Sequence, residues 1–275
     1  MRSFIAGLLV LLTVTAQAAV KTEEVTYQGG GVQMKGLIAW DNSIKGKRPA
    51  VLVVHEWWGH NDYARSRATQ LAEMGYVAMA VDMYGDGKQA AHPDNAMAFM
   101  TEATKDPVQT AERFNAAYAL LAKRKQTDAA NVAAIGYCFG GAVVLNMARL
   151  GTDLKGVASF HGALGAWKPA VPGGIKAKLL VLNGADDGMV PAEVVAGFEQ
   201  EMKTAGADFR VINYPGAKHS FTNPAATELG VKFNMPVAYN EAADKASWAE
   251  LDAFLKQVFA VAPAAAAPMR GLNRY

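Results

Sequence analysis

Residues 132–150 read Val132-Ala133-Ala134-Ile135-Gly136-Tyr137-Cys138-Phe139-Gly140-Gly141-Ala142-Val143-Val144-Leu145-Asn146-Met147-Ala148-Arg149-Leu150. The apolar run at 132–135 predicts a strand, and the apolar stretch at 141–150 predicts a helix. Between them, Gly136-x-Cys138-x-Gly140 has the form of a strand–turn–helix elbow that presents a nucleophile, with cysteine in place of the usual serine. The spacing has a steric cause. A turn this tight drives its central residue toward positive φ, and the residues two positions away meet the adjoining strand and helix, where glycine fits. The helix that starts there points its free N–H groups and positive dipole end at the sulfur, which favours a thiolate and any later oxyanion. Glycine makes up 26 of the 275 residues, so a single cysteine flanked by glycine at both positions arises by chance about once in a hundred. The competing reading is a buried cysteine in a glycine-rich turn.

Outward from this elbow the chain alternates apolar, β-rich runs with helical patterns. Strands are predicted at 50–54, 77–81, 132–135, 156–160, 179–182 and 209–214. Their continuous hydrophobicity suits strands covered on both faces. Helices are predicted around 63–74, 107–123, 141–150, 191–204 and 241–259. Two earlier runs, near 23–27 and 34–39, alternate more and predict an antiparallel hairpin leading into the sheet. The pattern is that of an α/β fold with a mostly parallel, doubly wound sheet and helices on both faces. In such sheets the chemistry gathers beyond the carboxyl ends of the strands.

Composition agrees with a packed enzyme-sized domain. Hydrophobic residues are 51% and charged residues 19%, and the formal net charge is +2. That mixture excludes wholesale disorder, collagen and coiled coil. No block of five or six like charges occurs, so neither a nucleic-acid partner nor an electrostatic membrane anchor is expected. One cysteine excludes an intramolecular disulfide and any multi-cysteine metal site. Residues 1–18 read as an export signal: Arg2 begins it, an apolar run fills 4–14, and Ala16-Gln17-Ala18 has the small-x-small form of a cleavage site. The apolar run is too short for a membrane span, which needs about 20 residues. The expectation is an exported protein, periplasmic or secreted, with no stable membrane insertion after signal removal. Residues 19–262 form one domain, and 263–275 form an Ala/Pro tail.

A nucleophile needs a base, and the base needs an orienter. Of the five histidines, His219 follows the strand at 209–214 through a short loop and is the last in the chain, as the order nucleophile, acid, histidine demands. Between Cys138 and His219, the strand at 179–182 ends in a loop holding Asp186 and Asp187. Spacing alone does not choose between these two, and either could instead cap the helix beginning near Pro191. His161 is a pocket-wall candidate, His55 reads as a packed histidine, and His92 serves a turn. His55, Glu56 and His60 lack the spacing of a helical zinc motif, so no metal is expected.

The elbow at 136–141, the Asp-x-x-Val-Pro at 187–191, His219-Ser220-Phe221, and His55-Glu56-Trp57-Trp58-Gly59 together resemble the dienelactone hydrolase family of α/β-hydrolases. The resemblance covers about residues 21–259, with four motifs in the family's order. It implies Cys138 as nucleophile, His219 as general base and acid, and Asp187 as the triad aspartate. It further implies that Glu56 lies against the cysteine and helps deprotonate it, and that the N–H groups of Trp57 and Phe139 form the oxyanion hole. Trp58, Tyr84, His161 and Phe221 are the expected pocket residues. The family's two carboxylate-binding arginines are replaced here by Asp86 and Asn223, which argues against a carboxylated lactone as substrate. Residues 222–240 are expected to cover the pocket, with Phe233, Met235, Tyr239, Trp57, Trp58 and Trp167 making an apolar site.

The leading expectation is a cofactor-free, cysteine-nucleophile hydrolase of small-molecule esters or lactones. The alternatives are a non-catalytic ligand binder on the same scaffold, or a redox cysteine that would need an outside thiol to resolve a sulfenic acid. Oligomeric state is not legible in the sequence.

Overall fold

A computed structural model describes residues 20–260. The expected export signal at 1–18 and the tail at 263–275 lie outside the described residues. The chain runs β1 (Val20–Gly29), β2 (Val32–Asp41), β3 (Arg48–Val54), α1 (Asp62–Glu73), β4 (Val77–Val81), α2 (Pro93–Thr104), α3 (Pro107–Ala122) and β5 (Thr127–Tyr137). It continues through α4 (Phe139–Arg149), β6 (Gly156–Phe160), β7 (Lys178–Gly184), α5 (Ala192–Ala205), β8 (Phe209–Tyr214), α6 (Ala226–Phe233) and α7 (Glu241–Phe259). The eight strands form one sheet in the order β1-β2-β4-β3-β5-β6-β7-β8. β1 and β2 are the expected antiparallel hairpin, and β2 lies antiparallel to β4. All pairings from β4 to β8 across the sheet are parallel.

The continuous hydrophobicity of the central strands is explained by two covered faces. In β3, Leu52 and Val54 pack in a cluster with Phe114 of α3, Val143 of α4 and Phe198 of α5. The intervening Val51 and Val53 pack with Leu71 of α1 and Leu251 and Leu255 of α7. Successive side chains of a strand point to opposite faces, so an unbroken apolar run feeds two cores. No helix among the described residues is long and apolar enough to cross a membrane.

Two helices escaped the sequence reading. α2 buries Ala96 and Ala103, and α6 buries Ala226 and Gly230. α6 spans only eight residues, too short a window for a helical period to be read, and α2 sits behind His92-Pro93 with only two alanines buried. His92 is a cap rather than a simple turn residue: its ring accepts the N–H of Asp94 at 3.3 Å at the start of α2.

The chain passes from β3 to β4 on one side, and β5 then pairs on the other side of β3. Val54 stands opposite Gly136, so the loops leaving β3 and β5 emerge side by side. This is the switch point at which open α/β sheets hold their ligands.

Candidate active site

Cys138 occupies the turn between β5 and α4 with φ 52° and ψ −114°, the strained elbow conformation expected from the sequence. Its backbone is pinned at both ends: its N–H donates to the Phe160 carbonyl at 3.0 Å, and its carbonyl accepts the N–H of Ala142 at 3.2 Å. The two flanking glycines are required by close approach. A Cβ on Gly136 would strike the Gly140 carbonyl, and one on Gly140 would strike the carbonyls of Val54 and His55 at the end of β3. The thiol is half-buried.

His219 lies in the loop after β8 and is 5% exposed. Its Nδ1 is 2.8 Å from Oδ2 of Asp187, which is 2% exposed. The other oxygen, Oδ1, accepts the N–H of Met189 at 2.9 Å, so Asp187 holds its own turn as well as the ring. Asp186 is exposed, and its backbone N–H bonds the Ala217 carbonyl. Burial therefore separates two aspartates that spacing could not. The Nε2 of His219 is the buried face presented to Cys138; the two groups interact electrostatically, but the contact falls short of a formed hydrogen bond. Such contacts commonly tighten only when substrate arrives. Burial opposes charge on the ring, but the Cys138 sulfur and the Asp187 carboxylate outweigh it and hold the His219 pKa up to about 10.

The loop after β3 is set by His55. Its Nε2 accepts the N–H of Met83 at 3.2 Å, so the proton resides on Nδ1, which donates to the Glu56 carbonyl at 2.5 Å. The N–H of Gly59 donates to the same carbonyl at 3.1 Å. That carbonyl belongs to the peptide whose N–H is that of Trp57. The next carbonyl, on Trp57 itself, accepts the Tyr84 hydroxyl at 3.0 Å. Among the described residues no acceptor takes the N–H of Trp57 or of Phe139.

Glu56 is placed differently from the resemblance. Its Oε2 accepts the Asn223 side-chain N–H at 2.6 Å, and its Oε1 is buried with no formed hydrogen bond. No hydrogen bond joins it to Cys138. Burial pushes its pKa up, against the pull of Asn223, Ser220 and the charges of His219 and Arg67. Arg67 went unnoticed in the sequence because Arg65-Ser66-Arg67 reads as a solvated helix face. It is 5% exposed, stacks near Tyr63, Tyr137 and Trp248, and holds the Thr222 carbonyl at 2.8 Å and Asp244 at 2.6 Å.

A cavity of about 570 Å³ opens on Cys138 and His219. Trp57, Trp58, Trp167 and Met235 line it as expected, with Asn223 and Leu229. Three expected pocket residues do not. Tyr84 is buried against His55 and Phe139 behind the Trp57 peptide. His161, at φ 41°, turns inward, where its Nε2 bonds the Thr222 hydroxyl at 2.7 Å and its ring packs edge-on against His219. Phe221, which follows Ser220 at φ 58°, is buried between His161 and Tyr214. Phe233 packs on Trp58 and His92, and the Tyr239 hydroxyl reaches Asp244, so neither reaches the cavity wall. Asp86 is exposed and also lies outside the lining. Among the described residues, no group of three or more His, Cys, Asp or Glu is placed to hold a metal ion.

Comparison with known proteins agrees with this fold. The model of the dienelactone hydrolase family matches residues 34–259. A crystal structure described as a dienelactone hydrolase-like promiscuous phosphotriesterase from metagenomic libraries is 33% identical, with a TM-score of 0.80, covering 87% of this chain and 99% of that one. The solved structure m3DLH is 34% identical with a TM-score of 0.83, covering 88% of this chain and all of the other, 100%. Protein usf of Aquifex pyrophilus is 28% identical over 204 residues, 72% of this chain and 86% of that protein. The two solved structures match this chain's fold over nearly their whole length, and the chain belongs to the dienelactone hydrolase family, as a hydrolase of carboxylic esters or lactones.

Proposed function

We propose that this hydrolase works by nucleophilic catalysis on Cys138, with His219 and Asp187 as its base and orienter. The observation that carries the reading is the buried 2.8 Å contact between His219 and Asp187, with the free ring nitrogen presented to the elbow sulfur. Cys138 Sγ adds to the substrate carbonyl as a thiolate, its proton already held on His219 Nε2 between the sulfur and the Asp187-bound ring. The oxyanion is received by the N–H groups of Trp57 and Phe139, supported by the fixed Glu56–Trp57 peptide and the start of α4. Collapse of the tetrahedral adduct breaks the bond to the alkoxy oxygen, and His219 returns its proton to that oxygen. A thioester remains on Cys138. Water, deprotonated by the same histidine, then releases the acid and regenerates the thiol. Asp187 keeps the ring in the tautomer that each step needs.

Glu56 enters as a gate. Leaving Asn223 for the elbow on substrate binding would bring its carboxyl beside the sulfur only when substrate is present. The similarity to a promiscuous phosphotriesterase adds a second electrophile for the same sulfur, an uncharged phosphotriester losing its aryloxide. The mature chain acts outside the cytoplasm on this reading, which rests on residues 1–18, and fractionation of cells expressing the full chain checks that part.

The deciding experiment is a time-resolved intact-mass measurement with a short-chain aryl ester, beside Cys138→Ser and His219→Ala. An acyl adduct on Cys138 that forms and decays in the wild type, but persists or never forms in the variants, is expected. A folded wild type with an accessible thiol and no adduct from any ester would overturn the mechanism.

A further inference from the structure

Apart from the His219 ring, which is paired with Asp187 and the Cys138 sulfur, the cavity wall carries no charged side chain. Its only titratable side chains are Cys138 and His219, both committed to the chemistry. Two of the polar side chains elsewhere in the lining are already engaged. Asn223 donates through Nδ2 to Glu56 at 2.6 Å and accepts through Oδ1 the N–H of Ala225 at 3.0 Å. The Thr104 hydroxyl donates to the Met100 carbonyl within α2 at 2.8 Å. Directly behind Asn223 lies the Glu56 carboxyl, a potential source of negative field and of no use to an anion. The remaining surface is tryptophan, methionine and aliphatic side chains, and Met97 and Met189 extend it to the mouth, each about half exposed (50% and 49%).

We propose that this cavity selects uncharged esters or lactones bearing an extended apolar acyl or aryl group, and rejects substrates that carry a carboxylate into it. The inference rests on the nucleophilic role of Cys138 and names the substrate class of that site. A carboxylate carried in would lose its water and meet no cation outside the catalytic pair, a cost above what its methylenes return. An apolar chain gains from every methylene buried, and methionines from α2 and two loops adapt to chains of different shape.

The test is kcat/KM for p-nitrophenyl acetate, butanoate, hexanoate and octanoate, with the mono-p-nitrophenyl ester of adipic acid as the charged match to hexanoate. Acylation of Cys138 by each ester is followed in parallel by intact mass. Each methylene added up to the limit of the cavity is expected to raise kcat/KM about fourfold, and hexanoate is expected to exceed the adipate ester by about 100-fold or more. A flat chain-length series, or an adipate ester processed as well as hexanoate, overturns the proposal while Cys138 acylation leaves the mechanism standing. Absence of acylation by every ester instead removes the mechanism, and the substrate class falls with it. A second variant places a cation on the wall: Leu229→Arg, on partly exposed α6, is expected to lower the hexanoate-to-adipate ratio about tenfold or more at unchanged melting temperature. An unchanged ratio in that folded variant also overturns the proposal, and if the variant does not fold, the wild-type series decides alone.

Discussion

The two sides of the active site are built from different material. The elbow side hangs from β3 and the buried Val132–Tyr137 end of β5, and the start of α4 touches the end of β3 where Gly140 meets it. The wall side is made of α2, α6 and the loop after α6, which bury little beyond alanine and glycine. Chemistry needs atoms fixed to a fraction of an ångström, whereas a hydrophobic wall needs only area. The fold spends its rigid core on the first and leaves the second to elements that barely touch that core.

This contrast makes predictions that differ by region. The largest effects belong to the elbow side. Cys138→Ala and His219→Ala are each expected to lower kcat/KM by about 10⁴-fold or more without loss of fold, measured by steady-state kinetics beside circular dichroism. A residual rate within tenfold of wild type would mean that the sulfur is not the nucleophile. Gly140→Ala forces a Cβ into two backbone carbonyls, and a stability loss of about 3 kcal/mol or more is expected in urea titration. A neutral result there would erase the contrast in rigidity.

On the wall side, Met100→Ala is expected to cost less than about 1 kcal/mol of stability. It should leave kcat on an acetate ester intact while raising KM for an octanoate ester about tenfold. Equal losses on both esters would place Met100 in the machinery rather than the wall. The smallest effect concerns Glu56, whose folded-state pKa is raised by burial. Unfolding lets this carboxyl ionise more readily than the fold does, so its contribution is a destabilisation that is absent at low pH. It grows as pH rises through the ordinary glutamate range and levels off above the folded pKa. Glu56→Gln is therefore expected to be more stable than wild type at neutral pH, with the difference vanishing in acid. A stability gap that does not change with pH would place the charge elsewhere.

The same division governs what could be read from the sequence. Strands such as Val77–Val81 and Gly156–Phe160 were legible to the residue, because burial on two faces demands continuous apolar runs. The placing of Cys138 in a positive-φ turn was also legible, since its glycine spacing has only a steric explanation. α2 and α6 were not: α2 buries only two alanines, and the eight residues of α6 are too few to repeat a helical period. Tyr84, His161 and Phe221 were misassigned to the pocket for a different reason. Proximity to a motif does not say which way a side chain points, and the positive φ at His161 and Ser220 turns the chain so that these rings face the interior. The Glu56–Asn223 bond joins residues 167 apart, and no local pattern announces such a pair.

The backbone contact between Gly140 and the end of β3 has a thermal consequence. Segments with few core contacts open by local fluctuation, while those woven into the central sheet open only with the whole molecule. The elbow belongs to the second class and the wall helices to the first. On warming, the enzyme should become less discriminating before it becomes less active, its selectivity blurring while turnover continues until the sheet itself melts.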